Sequence, residues 1–190
     1  RLIYATVTGY GTVGTWVKKP GQDLLVQSMS GFANLTGNKN DDPVPVGAAV
    51  SDIITGTHLV HGILASILKR EKTNKGALVE VSLLESTLDF QFEVITTYLN
   101  DGNQKPIRAI KGAAHAYLGA PYGIYKTKDG YISLAMGSLT ELGKILNCEA
   151  LEYYEDPTSW FTKRDEIMDI LGSFLIERNT NEWLAILEPE

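Results

Sequence analysis

Between Asp42 and Glu71 the chain carries a single carboxylate, Asp52. It stands in an otherwise apolar, glycine-punctuated run, Val46-Gly-Ala-Ala-Val-Ser-Asp-Ile-Ile-Thr-Gly-Thr-His-Leu-Val-His-Gly-Ile-Leu64. Ile53, Val60, Ile63, Leu64, Ile67 and Leu68 recur at helical spacing, which predicts a helix from about Ile53 to Glu71 with a broad apolar face. Thr73-Asn-Lys-Gly76 supplies a glycine stop. Ala77-Leu-Val-Glu-Val-Ser82 then alternates with period two, as a strand does. The N-terminal residues are β-branched and aromatic up to Gly9-Tyr10-Gly11 and read as another strand. Strand, helix, strand and helix in alternation constrain the chain to an α/β layer with parallel pairing.

Further along, Asp23 to Ala33 and Leu84 to Asn100 are expected to be helical. Asp101 to Pro121 is loop-like, so we expect a domain boundary near residue 110, giving domains 1–110 and 111–190. Tyr122 to Tyr125 and Tyr131 to Ala135 flank Lys126-Thr-Lys-Asp-Gly130, whose Asp-Gly pair is a hairpin signal. Helices are expected at Thr140 to Asn147, Thr162 to Glu177 and Asn181 to Leu187, with Thr180 as N-cap of the last. Arg1 opens directly into a strand, and the last helix ends with Trp183, Leu184 and Leu187 still needing a surface to pack on. Both ends therefore read as falling inside a larger fold.

Composition narrows the function. A net charge of −6 opposes a nucleic-acid-wrapping surface, because lysine and arginine neutralising phosphates dominate that affinity. No run approaches the roughly 18 to 20 consecutive apolar residues of a membrane span, and a cytoplasmic setting is expected. Cys148 is the only cysteine, which rules out an internal disulfide. The basic cluster Lys69-Arg70-Glu71-Lys72-Thr-Asn-Lys75 suits a solvated helix C-terminus.

The reactive motifs are few. His58, His61 and His115 lack partners at zinc spacing, so no metal site is expected. Gly9-x-Gly11-x-x-Gly14 follows a strand, but a dinucleotide fingerprint needs a helix to open at once, and Trp16-Val-Lys-Lys-Pro20-Gly21 intervenes. No Gly-x-Ser-x-Gly elbow is present. That leaves Asp52. A carboxylate at a helix start stays ionised beside free backbone N–H groups, either as a cap or as a nucleophile. Gly56, four residues on, leaves space over it, since a helical side chain covers the turn N-terminal to its own Cα.

Several segments, in order, resemble the class III CoA-transferases. They are Leu2-Ile-Tyr-Ala-Thr-Val-Thr-Gly-Tyr-Gly11, Pro20-Gly-Gln-Asp23, Val46 to Gly56, Gly62-Ile-Leu-Ala65, Val79-Glu-Val-Ser-Leu-Leu84, Ala120-Pro-Tyr-Gly-Ile-Tyr125, Asp129-Gly-Tyr-Ile132 and Glu182-Trp-Leu184. The family includes formyl-CoA transferase, carnitine CoA-transferase and α-methylacyl-CoA racemase. The resemblance implies that Asp52 is a nucleophile forming a mixed anhydride with the acyl group of a CoA thioester. It also implies that Gly9, Tyr10, Gly56 and Leu83 border the substrate and CoA. No tightly bound cofactor is implied; coenzyme A thioester is substrate, a carboxylic acid is acceptor, and neither nucleic acid nor membrane is a partner.

The same resemblance implies a Rossmann-like large domain with parallel strands leading into a smaller α+β domain, in an interlocked homodimer. The family's subunits are about twice this length, so the chain is expected to be a central fragment with little turnover alone. Lys111 to Ala120 falls where formyl-CoA transferase has a mobile glycine-rich lid, and is less rich in glycine here. The racemase has Gly-His-Asp where this chain has Gly21-Gln22-Asp23, and glutamine cannot return an α-proton. Two alternatives stand beside the transferase: a racemase-like epimerase, and a non-catalytic assembly module in which Asp52 only caps its helix.

Overall fold

The computed structural model describes residues 1–112 and 114–188. Of the segment Lys111–Ala120, where the resemblance leads one to expect a lid, Ala113 lies outside the described residues. The chain divides into two compact units, one formed by Arg1–Thr36 and Asp42–Lys105, the other by Gly37–Asp41 and Pro106–Glu190.

In the first unit, strand β1 (Ile3–Thr8) pairs in parallel with β2 (Ala77–Ser82), with Ile3 opposite Ala77 and Thr8 opposite Ser82. Parallel strands need a crossover, and helix α2 (Val50–Thr73) is its principal element. Gly62 lets α2 lie close on the sheet, since a Cβ there would come within 2.6 Å of Val79 Cγ1. The helix runs three residues further toward the N-terminus than expected, and it stops on Asn74 rather than Gly76. Asn74 takes the left-handed conformation (φ 58°), and its amide donates to the Arg70 carbonyl at 2.7 Å. Gly76 serves the sheet instead, because a Cβ there would collide with the Leu2 carbonyl, beside which β2 begins.

Two other helices are shorter than expected. α1 (Asp23–Met29) ends because Gly31 turns left-handed at φ 78°, and a single 3-10 turn, Phe32–Asn34, follows. The expected helix from Leu84 to Asn100 is two, α3 (Leu83–Phe90) and α4 (Phe92–Asn100). Buried Gln91 makes the break. Its side-chain amide donates to the Thr87 carbonyl at 3.1 Å, while its backbone amide moves to Leu88.

Val26, Ala33, Val79 and Leu83 are the buried apolar residues of this unit. Ile53, Val60, Leu64 and Leu68 of α2 remain exposed, as do Tyr4 and Leu78, which face each other across the strand pair. By length and composition alone α2 could cross a bilayer; here it packs on β1, β2 and α3.

The second unit is built on an antiparallel hairpin, β3 (Gly123–Lys126) and β4 (Tyr131–Leu134), as the Asp-Gly pair predicted. Around it stand α5 (Leu139–Leu146), α6 (Glu149–Glu152), α7 (Ser159–Thr162), α8 (Arg164–Leu175) and α9 (Thr180–Leu187). Ile167, Leu171 and Leu175, one turn apart on α8, are fully buried with Leu139 and Leu151. Each such side chain contributes about 1.5–3 kcal/mol by leaving water.

The helix expected from Thr162 begins at Arg164 instead, after the separate short α7 and a break at Lys163, and the Arg164 side chain is buried. The cap of α9 is Asn179, not Thr180; its amide donates to the Glu182 carboxylate at 2.9 Å, and its backbone carbonyl accepts the Glu182 amide at 3.1 Å. Thr180 instead donates its amide to the Asp129 carboxylate at 2.7 Å, tying helix to hairpin.

Described residues of the stretch from Lys111 to Ala120, and just before it, are held by α8. Lys111 pairs with Asp169 at 2.7 Å, and Arg164 donates to the carbonyls of Ile107, His115 and Leu118. Burial lowers the Arg164 pKa, and the neighbouring Asp165 carboxylate opposes that only in part.

Candidate active site

All five residues expected at the site, Asp52, Gly9, Tyr10, Gly56 and Leu83, lie in the first unit. Gly9 directly follows β1 and lies against Gly21, which opens the way into α1; a Cβ on Gly9 would sit 2.5 Å from Gly21 Cα. The Gly9 carbonyl accepts the amide of Leu84 at 3.1 Å, bringing the start of α3, and with it buried Leu83, to the same strand end. Tyr10 is half-buried and meets Trp16 edge to face at 5.3 Å, and the Lys19 ammonium caps the Trp16 ring at 3.4 Å. The glycine-rich loop therefore closes on an aromatic–cation stack. No helix opens until Asp23, so the dinucleotide geometry is missing.

Two residues past Gly21, Asp23 reaches α2. Its Oδ1 accepts the Ser51 amide at 2.8 Å, and its Oδ2 accepts the Gln27 side-chain amide at 2.7 Å. Gln27 Oε1 in turn accepts the Val46 amide at 2.9 Å. The cap position of α2 is Ala49, with no side-chain cap, and Asp52 is the third residue of the helix. Asp52 is thus not the cap that one sequence reading makes it: the orphan amide at the helix start is met by Asp23 from another helix. The Asp52 side chain is exposed and makes no hydrogen bond or ion pair to the other described residues. A Cβ built on Gly56 meets nothing within 4 Å, so the space one turn along is open.

An open groove of about 510 Å³ lies where α2, β2 and α3 meet and is lined by His58, His61, Glu80, Val81, Ser82, Glu85, Ser86 and Asp89. His58 Nε2 stands 3.3 Å from Asp89. Sequence reasoning does not single out Asp23 and Gln27, which tie α1 to the start of α2. Their i, i+4 spacing is a usable signal, but Gly21-Gln22-Asp23 draws notice only for what it lacks, a histidine.

With the geometry in view, the comparisons with known proteins give a consistent result. The profile of CoA-transferase family III matches residues 1–190, and the chain belongs to that family. It is 32% identical over 194 residues to the succinyl-CoA:glutarate CoA-transferase of Mus musculus, covering 99% of this chain and 44% of the relative. It is 33% identical over 139 residues to the acetyl-CoA:oxalate CoA-transferase of Acetobacter aceti, covering 73% of this chain and 35% of the relative. A crystal structure of a CAIB/BAIF family protein from Brucella suis superposes with a TM-score of 0.80 at 28% identity, covering 99% of this chain and 50% of that one. The chain thus spans less than half the length of the curated relatives it matches.

Proposed function

We propose that the protein transfers coenzyme A from an acyl-CoA thioester to a carboxylic acid, with Asp52 as the nucleophile. The supporting observation is the state of that carboxylate: it sits in the first turn of α2, unpartnered among the described residues, while Asp23 caps the helix in its place. A carboxylate in that position is not tied up in capping and is left available for attack.

Asp52 attacks the thioester carbonyl, breaking the C–S bond and giving an acyl-aspartyl anhydride and CoA thiolate. The thiolate attacks the aspartyl carbonyl, releasing the first acid and leaving an aspartyl-CoA thioester. The acceptor carboxylate and then CoA repeat these steps in reverse order, so no bond energy is lost to water. Tyr10, Gly9, Gly56 and Leu83 border the reacting groups. An anhydride needs a dry site, and Asp52 is exposed within its own unit. The enclosing walls therefore belong to the assembled enzyme, a cytoplasmic homodimer in this reading. Relatives named for glutarate and oxalate make dicarboxylates the first acceptors to test.

The test is to incubate the protein, at its full encoded length, with acyl-CoA and hydroxylamine. Formation of an aspartyl hydroxamate on the Asp52 peptide is expected. An unmodified Asp52 in folded protein that turns over acyl-CoA would remove the proposal.

A further inference from the structure

The nucleophile's helix is held from outside by a hydrogen-bond chain with a fixed direction. The Ser51 amide donates to Asp23 Oδ1, the Gln27 side-chain amide donates to Asp23 Oδ2, and the Val46 amide donates to Gln27 Oε1. Gln27 is 1% exposed, and its polar groups have no solvent to fall back on. Val46 and Ser51 flank the approach to α2, so two side chains of α1 fix both ends of the turn that delivers Asp52. From this we propose that Asp23 and Gln27 are the positioning residues of the nucleophile, acting through the Ser51 and Val46 amides rather than by proton transfer. The inference rests on Asp52 being the acylated residue.

The chain's direction makes the idea testable by moving one charge. Two donors converge on Asp23, and only a group that accepts at both oxygens satisfies them. In Asp23→Asn the new amide donates where an acceptor is needed. If it faces Gln27, two NH₂ groups oppose. If Gln27 flips to relieve this, Val46 loses its acceptor, and if the asparagine flips, Ser51 does. Every arrangement takes from one donor of this part-buried network the acceptor it has at Asp23 or Gln27, which is costly. Adding Gln27→Glu restores the pattern. The introduced asparagine accepts from Ser51 and donates to the introduced glutamate, which in turn accepts from Val46, with net charge unchanged. Gln27→Glu alone sets two carboxylates against each other.

The experiment uses the protein at its full encoded length, wild type, D23N, Q27E and D23N/Q27E. It measures the burst of CoA thiol on first mixing with acyl-CoA, the KM for acyl-CoA, and hydrogen-exchange protection of the Ser51 amide. We expect each single variant to slow the burst by roughly tenfold to a hundredfold, with KM unchanged and the Ser51 amide deprotected. The double variant should recover to within about threefold of wild type, with protection regained. A D23N enzyme that keeps the burst and the protection would overturn the inference, as would a double variant no better than its parents. A wild type without a burst would count against Asp52 as nucleophile, while the Ser51 amide would still report whether Asp23 and Gln27 hold the turn.

Discussion

Gly9 and Gly21 touch backbone to backbone, and neither position has room for a side chain: a Cβ on Gly9 would lie 2.5 Å from Gly21 Cα. This contact sets the distance from the end of β1 to Asp23, and through Asp23 to the helix of Asp52. Gly21→Ala must push the strand end and α1 apart. We expect it to cost about 1–3 kcal/mol, as overpacking does, and to lower the CoA-transfer rate as well. Denaturant unfolding and steady-state rates of the same preparation check both effects, and an unchanged midpoint would show that the contact can relax.

Asp52→Asn should separate chemistry from stability. The side chain is exposed and unpartnered among the described residues, so the unfolding midpoint is expected to stay where it is, because substitutions away from buried networks change little. Acyl transfer should be lost. A variant that unfolds early would mean that the carboxylate supports the helix after all, in line with the assembly-module reading.

How far the sequence can be read follows from where the signals are local. The period-two run at 77–82 and the apolar spacing from Ile53 to Leu68 are self-contained, and both elements form as expected, paired in parallel through a long helix. The breaks at Gln91 and Lys163 are not legible. They depend on buried side chains, Gln91 and Arg164, finding backbone carbonyl partners that no spacing announces. The same holds at the site. Asp52 stands out by isolation in sequence, whereas Asp23 becomes visible only through its bond to an amide 28 residues away.

Arg164→Ala tests the buried cation of the second unit. Its guanidinium serves the carbonyls of Ile107, His115 and Leu118, and stacks on Phe161 at 5.1 Å. Removing it leaves those carbonyls short of a donor, and we expect a loss of about 2–4 kcal/mol in denaturant unfolding. Lysine should recover only part of it, since a single ammonium lacks the guanidinium's fork of donors. Full recovery by lysine would contradict this assignment.

The hairpin–α9 tie should fail in acid. Hydrogen bonds from the Thr180 amide and hydroxyl hold the Asp129 pKa below the usual carboxylate range. A carboxyl depressed in the folded state adds stability that is present above its unfolded pKa, about 3.9 for aspartate. That stability is lost as pH falls through the folded value. The Thr180 amide proton shift, followed by NMR, should therefore titrate with a midpoint below about 3.9 and lie flat in Asp129→Asn. A midpoint at or above the ordinary value would contradict the assignment.

A nucleophilic Asp52 must exchange an oxygen atom with the substrate. In the proposed sequence the acceptor acid leaves one of its carboxylate oxygens on the aspartate when CoA cleaves the second anhydride. Turnover with ¹⁸O-labelled acceptor in unlabelled water, followed by peptide mass spectrometry, should place the label in the Asp52 side chain and in no other carboxylate. Product formation with Asp52 unlabelled would contradict the role given to it here.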